Sequence, residues 1–125
     1  MNEEQLKEIA ILAKELGFKP RTLSTRVTFE KFTRVDKGLP LNDMCYYLLL
    51  CEIQLWSNKT FGIHLTIDIN MKDVWSTRIV KFTNLTEYNV VKQISRNFIE
   101  DESTFETALA TGILESLKLI KNESN

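Results

Sequence analysis

The pair of His64 and Asp68 is the first place in this sequence to look for acid–base or metal chemistry. His64 is the only histidine, and Asp68 follows it four residues later. A histidine beside a carboxylate can act as a base or hold a metal ion. If the segment is a strand, the two side chains share a face but are two strand repeats apart, too far for a hydrogen bond. We therefore expect an exposed histidine without a catalytic role.

The other chemically capable residues are equally scattered. Cys45 and Cys51 are six positions apart, which places them on different faces of a helix and prevents them from sharing one metal ion. The glycines are too far apart for a Gly-rich phosphate loop, and no nucleophile elbow or zinc-protease motif occurs. These glycines are Gly17, Gly38, Gly62 and Gly112. The sequence therefore predicts no enzyme, no metal, no cofactor and no small-molecule substrate.

Glu100, Asp101 and Glu102 form an acidic run just before the last predicted helix. Such a run can hold a cation or supply paired carboxylates. The favoured interpretation is structural, because negative charge at a helix N-terminus is stabilised by the helix dipole and is usually solvated.

A basic segment at residues 19–37 is the clearest candidate binding feature. It carries six cationic residues: Lys19, Arg21, Arg26, Lys31, Arg34 and Lys37. Only Glu30 and Asp36 oppose them, and Phe29 and Phe32 lie between them. A flexible basic arm with aromatic residues can follow a phosphate backbone and stack on bases. The alternative is a solvated loop whose cations neutralise carboxylates elsewhere in the chain.

Composition and length indicate one globular domain without a membrane segment. The chain has 125 residues, 43% of them hydrophobic and 26% charged, with a formal net charge of -1. The longest apolar stretch, Met44–Trp56, is interrupted by Glu52 and Gln54 and is shorter than the ~20 residues that span a bilayer. No secretory signal is recognisable at the N-terminus. We expect a cytoplasmic protein with reduced thiols and no membrane partner.

The N-terminal third is expected to contain one helix and an irregular arm. Apolar spacing predicts a helix from Glu3 to Leu16, ended by Gly17 with Phe18 as its hydrophobic contact. Residues 18–41 are predicted to be irregular, with room for one edge strand at 26–30, where polar and apolar residues alternate.

The second predicted helix begins at Asn42 and is apolar almost all round from Met44 to Trp56. A helix of this kind is buried on more than one side. We therefore expect it to lie between a sheet and either the first helix or a second subunit.

A β-hairpin is predicted after this helix. Residues 63–69 alternate strictly, 71–73 form a turn, and the return strand runs from Val74 to about Phe82. A three-residue loop pairs Ile69 with Trp75, Leu65 with Ile79 and Thr66 with Arg78.

The outward face of this hairpin is a predicted interface. It carries Thr66, Arg78, Val80 and Phe82. Val80 and Phe82 would be exposed apolar residues unless a partner subunit or the N-terminal arm covers them.

The C-terminal part is predicted to contain a third strand and a long helix. Residues 84–99 fit either a helix or a strand, and we favour a strand within 89–99. Ser103–Glu106 is a capping box that opens the last helix. Gly112 lies on its apolar face, which indicates a close approach to the sheet. Residues 122–125 are expected to be a polar tail.

Together these elements predict an α+β fold in a single domain, 1–125. A small three-stranded antiparallel sheet is packed on one face by two helices, in α-β-β-β-α order, within 42–121. An extra N-terminal helix and the irregular basic arm form 1–41, and the tail is 122–125.

Three segments resemble a group of small uncharacterised proteins of phages and integrated elements of gut Bacteroidales. They are Glu-Leu-Gly-Phe-Lys-Pro at 15–20, Gln-Leu-Trp-Ser at 54–57 with Gly-Ile-His at 62–64, and the Phe-Glu-Thr-Ala-Leu segment continued through 105–120. The relatives usually have Trp-Leu-Arg-Glu where this chain has Trp-Ser-Asn-Lys at 56–59, and 84–99 looks like an insertion. The resemblance implies a phage or mobile-element setting and no established function.

The order of elements also resembles double-stranded-RNA-binding domains. Those domains carry a Lys-Lys-x-Ala-Lys cluster at the start of the last helix. This chain has Ser-Thr-Phe-Glu at 103–106, after three acidic residues. The charge is reversed there, which argues against RNA binding through that surface.

The sequence thus favours a non-enzymatic accessory protein of a phage or mobile element that acts by protein–protein contact. The expected partner is a second copy, bound through the sheet or the second helix. The alternative is nucleic-acid binding through the basic arm, and an enzyme of unknown type is the third hypothesis.

Overall fold

The computed structural model describes residues 3–34, 42–69, 74–82, 88–97 and 105–124. Four helices and three strands occur in this part of the chain. In order they are α1 (Glu3–Glu15), α2 (Leu23–Thr33), α3 (Asp43–Phe61), β1 (Ile63–Ile69), β2 (Val74–Phe82), β3 (Tyr88–Asn97) and α4 (Phe105–Ser124). The α+β class predicted from the sequence is confirmed.

The helices form two layers on the sheet. The strands run in the order β1-β2-β3, and both neighbouring pairs are antiparallel. Helices α3 and α4 contact β1 and each other, and α4 also contacts β2. Helix α1 packs on α4, and α2 packs on α1 and α3. The core therefore lies between the sheet and the helices, with fully buried side chains that include Leu6, Ile9, Leu49, Leu50, Ile53, Ile79 and Leu117.

The predicted architecture is wrong in the segment expected to be an irregular arm. Residues 23–33 form helix α2, so four helices accompany the sheet instead of three helices and an arm. The edge strand expected at 26–30 is part of this helix. Residues 35–41, the remainder of the predicted arm, lie outside the described residues.

Helix α2 forms because threonines serve both its cap and its buried face. The Thr22 hydroxyl accepts from the backbone N–H of Thr25 at 3.2 Å and caps the helix. Thr25, Thr28, Phe29 and Phe32 are buried, and their spacing follows one helical face. The Thr28 hydroxyl donates to the Ser24 carbonyl at 3.0 Å, which satisfies a buried polar group within the helix.

The end of α1 sets the corner between α1 and α2. Gly17 has φ +100°, and the Phe18 N–H donates to the Ala13 carbonyl at 2.9 Å, as in a Schellman motif. Phe18 is buried, so the predicted hydrophobic contact at this corner is confirmed. Helix α3 also ends at a glycine in the left-handed region: Gly62 has φ 71°, and its N–H donates to the Asn58 carbonyl at 3.0 Å.

The hairpin register agrees with the predicted pairs. Ile69 pairs with Trp75, Leu65 with Ile79 and Thr66 with Arg78. Strand β3 lies within the segment that the sequence left between helix and strand, and its pairing with β2 shifts register between Ile79 and Val80. Apart from that of Lys92, the β3 side chains are outside the described part. The predicted turn at 71–73 and the residues 103–104 of the predicted capping box also lie outside it, and α4 continues to Ser124.

Candidate functional site

Helix α3 exposes a row of apolar side chains on its outer face. Met44, Leu48 and Leu55 are 62%, 43% and 63% exposed, and Cys51 is half-buried. Their spacing of four, three and four residues places them along one side of the helix. We call these four residues the α3 stripe. Large apolar side chains that share one face form a patch, and such patches mark interaction surfaces.

The opposite face of α3 is buried within the monomer. Tyr46, Leu49, Leu50 and Ile53 are buried in the core. Helix α3 is therefore apolar on two faces, and a second subunit on its outer face stays a prediction. The sheet and the neighbouring helices cover only the inner face.

A groove of about 950 Å³ adjoins the α3 stripe, between α3 and the start of α2. Leu48, Cys51, Leu55 and Trp56 contribute its apolar lining from α3. We call this recess the α3 groove. Its remaining lining includes the basic residues Lys19, Arg21 and Lys59 together with Glu52, whose carboxylate accepts the backbone N–H of Arg21.

The two cysteines of α3 are free thiols and are both half-exposed. A hydrogen bond with Cys51 raises the pKa of Tyr47 above its usual value of 10.0. Across the residues that the structure covers, no group of three or more His, Cys, Asp or Glu side chains could hold a metal ion.

Lys31, one of the six predicted nucleic-acid contacts, is held inside the fold. Its Nζ donates to the Tyr46 hydroxyl at 3.1 Å and to Glu3 Oε1 at 3.4 Å. The Tyr46 hydroxyl in turn donates to Glu3 Oε1 at 2.8 Å. Only 15% of the Lys31 side chain is exposed. Lys31 therefore connects α2 to α1 and α3 and is poorly placed to contact a ligand.

This network raises the pKa of both partners. The hydrogen bond with Tyr46 raises the pKa of Lys31 above its usual 10.5, against the opposing effect of burial. Burial is the main cause that raises the pKa of Tyr46 above its usual 10.0. Lys31 is therefore charged, and Tyr46 neutral, at neutral pH.

Three other predicted basic residues meet at a second groove. Lys19, Arg26 and Arg34 line a cavity of about 500 Å³ between the end of α1 and the outer side of α2. We call it the α1–α2 groove. Lys14, which the sequence analysis did not single out, lines it as well. Arg21 lies in the α3 groove instead, and Lys37 is outside the described residues.

The expectation that Phe29 and Phe32 stack on bases is wrong. Each is only 6% exposed. Phe29 packs edge-on against Phe18 with ring centroids 5.3 Å apart, and Phe32 against Tyr46 at 5.5 Å. Their rings belong to the core because α2 turns them inward, so an arm with free aromatic side chains does not exist.

The predicted interface on the sheet is a more polar surface than expected. Arg78 lies 3.4 Å from Asp68, in an exposed ion pair, and Thr66 is half-buried. Val80 is 7% exposed, so it is covered within the monomer. The side chain of Phe82 lies outside the described part of the chain. The described side chains therefore supply no apolar patch on this face.

His64 is engaged by a neighbour other than Asp68. The Asn58 amide nitrogen lies 2.7 Å from His64 Nδ1, whereas Asp68 pairs with Arg78. The structure thus does not bring His64 and Asp68 together as a catalytic pair. The acidic residues Glu100, Asp101 and Glu102 lie outside the described residues.

Wider comparison adds no assignment to these surfaces. In the described ranges, no helix combines the length and apolar character needed to cross a membrane. No family model, no curated protein and no solved structure matches this chain. The resemblances to phage proteins and to double-stranded-RNA-binding domains therefore stay predictions.

Proposed function

We propose that the protein acts by protein–protein contact and not by catalysis, and that its partner is a second copy bound through the α3 stripe. One observation carries this proposal. Met44, Leu48, Cys51 and Leu55 form an exposed apolar row on a helix whose other face is already buried. Sequence-based reasoning named either the sheet or this helix as the interface, and the exposed apolar side chains favour the helix.

The spacing of the α3 stripe is suited to another helix. Steps of four, three and four residues match the alternation of the two apolar positions of a heptad, whose side chains interdigitate between paired helices. Fully burying one leucine side chain contributes roughly 1.5–3 kcal/mol, so covering the exposed parts of Leu48 and Leu55 contributes about half of that each. In a dimer, both copies bury these side chains, so the stabilising free energy is doubled.

The surface has both parts that a two-fold interface needs. Leu55 and Met44 project from α3, and the α3 groove lies beside them. In a two-fold dimer one patch meets itself, so a projection and a recess on the same patch can fit each other. An axis near Cys51 would set Leu48 against Leu55 of the second copy.

The size of the interface requires more than the stripe. A helix of 19 residues is about 28 Å long. A stable interface buries about 800 Å² on each partner. The rim of the α3 groove and Leu23, which is 73% exposed at the start of α2, would therefore take part.

Light scattering during size-exclusion chromatography tests the proposal. We expect a dimer that dissociates on dilution. Leu48→Glu with Leu55→Glu should give a monomer with an unchanged circular dichroism spectrum, because both side chains are partly exposed. Ile11→Glu is the matched control, since Ile11 is 40% exposed on α1 and should leave the dimer intact.

Two outcomes would refute the homodimer. The first is a wild-type protein that stays monomeric at every concentration reached. The second is a dimer that survives both glutamates of the double variant. If the wild type is monomeric, the same stripe becomes a candidate surface for another protein's helix. The setting in a phage or mobile element rests on the sequence resemblance alone.

A further inference from the structure

Three of the four cations that line the α1–α2 groove form no ion pair with a described residue, which is also true of Lys7, Arg21 and Lys59. Other basic side chains in the described part of the chain are neutralised by carboxylates. Six of them lie 2.8–3.7 Å from a carboxylate oxygen: Lys31, Arg78, Lys81, Lys92, Lys118 and Lys121. By contrast, Lys14, Lys19 and Arg26 form no ion pair with any described residue. Arg34 is 3.9 Å from Glu30, the single acidic residue of the α1–α2 groove.

The four cations surround the α1–α2 groove from two sides. Lys14 and Lys19 come from the end of α1 and the connection after it, Arg26 comes from α2, and Arg34 is the residue that follows α2. Arg26 and Arg34 are eight residues apart, which corresponds to about 12 Å along a helix. All four side chains are exposed. The charges are therefore distributed along a channel instead of converging on one point.

The floor of the groove leaves room for a ligand to approach the backbone. Gly17 lines it without a side chain, and a Cβ placed there would meet no atom within 4 Å. Phe18 and Phe29 also line the groove but are buried, so they present little ring surface. The exposed lining of the groove is more apolar than polar, so a ligand would meet the four cationic groups beside a lining that includes Pro20 and the aliphatic stems of the basic side chains.

Phosphate is the anion that this arrangement suits best. Arginine guanidinium groups bind phosphate oxygens through paired N–H donors, and lysine adds compact positive charge. Four cations held together with one carboxylate repel one another, and a chain of phosphates relieves that repulsion at several points at once. A single small anion would neutralise only one end of a channel of this length.

We propose that the α1–α2 groove binds the phosphate backbone of a nucleic acid. Lys14, Lys19, Arg26 and Arg34 contact the phosphates, and Glu30 weakens the contact by holding Arg34. We expect binding to be independent of base sequence, because the cations contact phosphates and the lining of the groove offers no exposed aromatic ring on which a base could stack. This inference does not depend on the proposed dimer, although a dimer would present two such grooves to one strand.

Fluorescence anisotropy with labelled oligonucleotides of mixed sequence tests the proposal. The probes are a single strand and a duplex of equal length, at low salt, and the stronger binder identifies the source of the phosphates. Lys14→Gln, Arg26→Gln and Arg34→Gln combined should weaken binding at least about tenfold, because the free energy of such contacts comes from phosphate neutralisation. The control combines Lys7→Gln, Lys81→Gln and Lys92→Gln, which removes the same charge elsewhere.

Two further measurements sharpen the test. Glu30→Gln should tighten binding, since it removes the competing carboxylate and releases Arg34. For a single strand, four phosphate contacts predict that the logarithm of the affinity falls with the logarithm of salt concentration at a slope of about −3. Inorganic pyrophosphate and an oligo-glutamate peptide serve as competitors.

Four results would overturn the proposal. They are absence of binding to either oligonucleotide at low salt, equal weakening in the groove variant and the control variant, binding of pyrophosphate without binding of a strand, and stronger binding of the oligo-glutamate than of either nucleic acid. Survival of the α-helical circular dichroism spectrum in all variants establishes that loss of binding is not loss of fold.

Discussion

Gly112 of α4 lies so close to Thr77 of β2 that a Cβ atom added to the glycine would be 2.5 Å from Thr77 Cγ2. The same atom would be 3.3 Å from a methyl group of Leu65. Thr77 is fixed, because it is buried and its hydroxyl donates to the Ala108 carbonyl at 3.2 Å. The glycine therefore sets how closely α4 approaches the sheet, and the predicted close approach is confirmed.

Gly112→Ala should destabilise the protein by about 1–2 kcal/mol. Overpacking of a core costs about 1–3 kcal/mol, and the better helix propensity of alanine returns up to about 1 kcal/mol. Urea denaturation measures the difference. Thr77→Ser removes only the clashing methyl group and keeps the hydroxyl, so it should cost less in the Gly112→Ala background than in the wild type. Additive effects of the two substitutions would argue against the contact.

Replacing Lys31 should lower stability without affecting nucleic-acid binding. Lys31→Gln removes the charged donor shared by Tyr46 and Glu3, and hydrogen bonds of this kind contribute about 1–2 kcal/mol when one partner is partly exposed. Urea denaturation measures the loss, and the oligonucleotide assay measures binding. If Lys31→Gln left the stability unchanged but weakened nucleic-acid binding, Lys31 would be a contact to the nucleic acid and not a structural residue.

The same network predicts a loss of stability in alkali. The pKa values of Lys31 and Tyr46 are both raised in the folded protein, so the folded state holds these protons more tightly than the unfolded state. Their contribution is fully present below about pH 10 and is lost as the pH rises above it. Urea denaturation at pH 9 and pH 11 should therefore show a smaller decline for Tyr46→Phe than for wild type, because this substitution removes the Tyr46 hydroxyl and with it the main cause that raises the pKa of Lys31. Parallel declines would contradict the shift.

If the α3 stripe forms a two-fold dimer, oxidation should cross-link the two copies through Cys51. A disulfide needs Cα atoms about 4.4–6.8 Å apart, a distance that residues close to a two-fold axis can reach. Non-reducing gel electrophoresis after mild oxidation should give a covalent dimer for Cys45→Ser and none for Cys51→Ser. Cross-linking that requires Cys45 would place the axis elsewhere and refute the proposed arrangement.

Most helices and strands could be predicted from the sequence because the spacing of their large apolar residues follows the period of a helix or a strand. Helix α2 was missed since its buried face consists of two phenylalanines and two threonines, and threonine was counted as polar. The alternation at 26–30 then favoured a strand. In the structure, the hydroxyls of Thr28 and Thr33 donate hydrogen bonds to backbone carbonyls four residues earlier in the same helix. These bonds let threonine occupy the helix, and the spacing of apolar residues does not predict them.

The candidate surfaces could be predicted only in part. An all-round apolar helix at 44–56 indicated a second partner, but the sequence did not tell the covered face from the open one. Basic residues close in sequence were grouped together, and the fold separates them. Lys31 is turned inward, whereas Lys14, from a different helix, joins Lys19 at the groove. Such groupings depend on the corner at Gly17, which brings α1 and α2 together.

The cap of α2 should control the shape of the α1–α2 groove. Thr22→Ala removes the side-chain acceptor of the Thr25 N–H and should destabilise the protein by about 0.5–2 kcal/mol. Because Arg26 lies just beyond the capped turn, fraying there should also weaken nucleic-acid binding. Thr22→Ser keeps the acceptor and serves as the control. Hydrogen exchange should accelerate at the amides of 24–26 in the alanine variant only. Unchanged exchange at these amides would show that the cap does not hold this end of the groove.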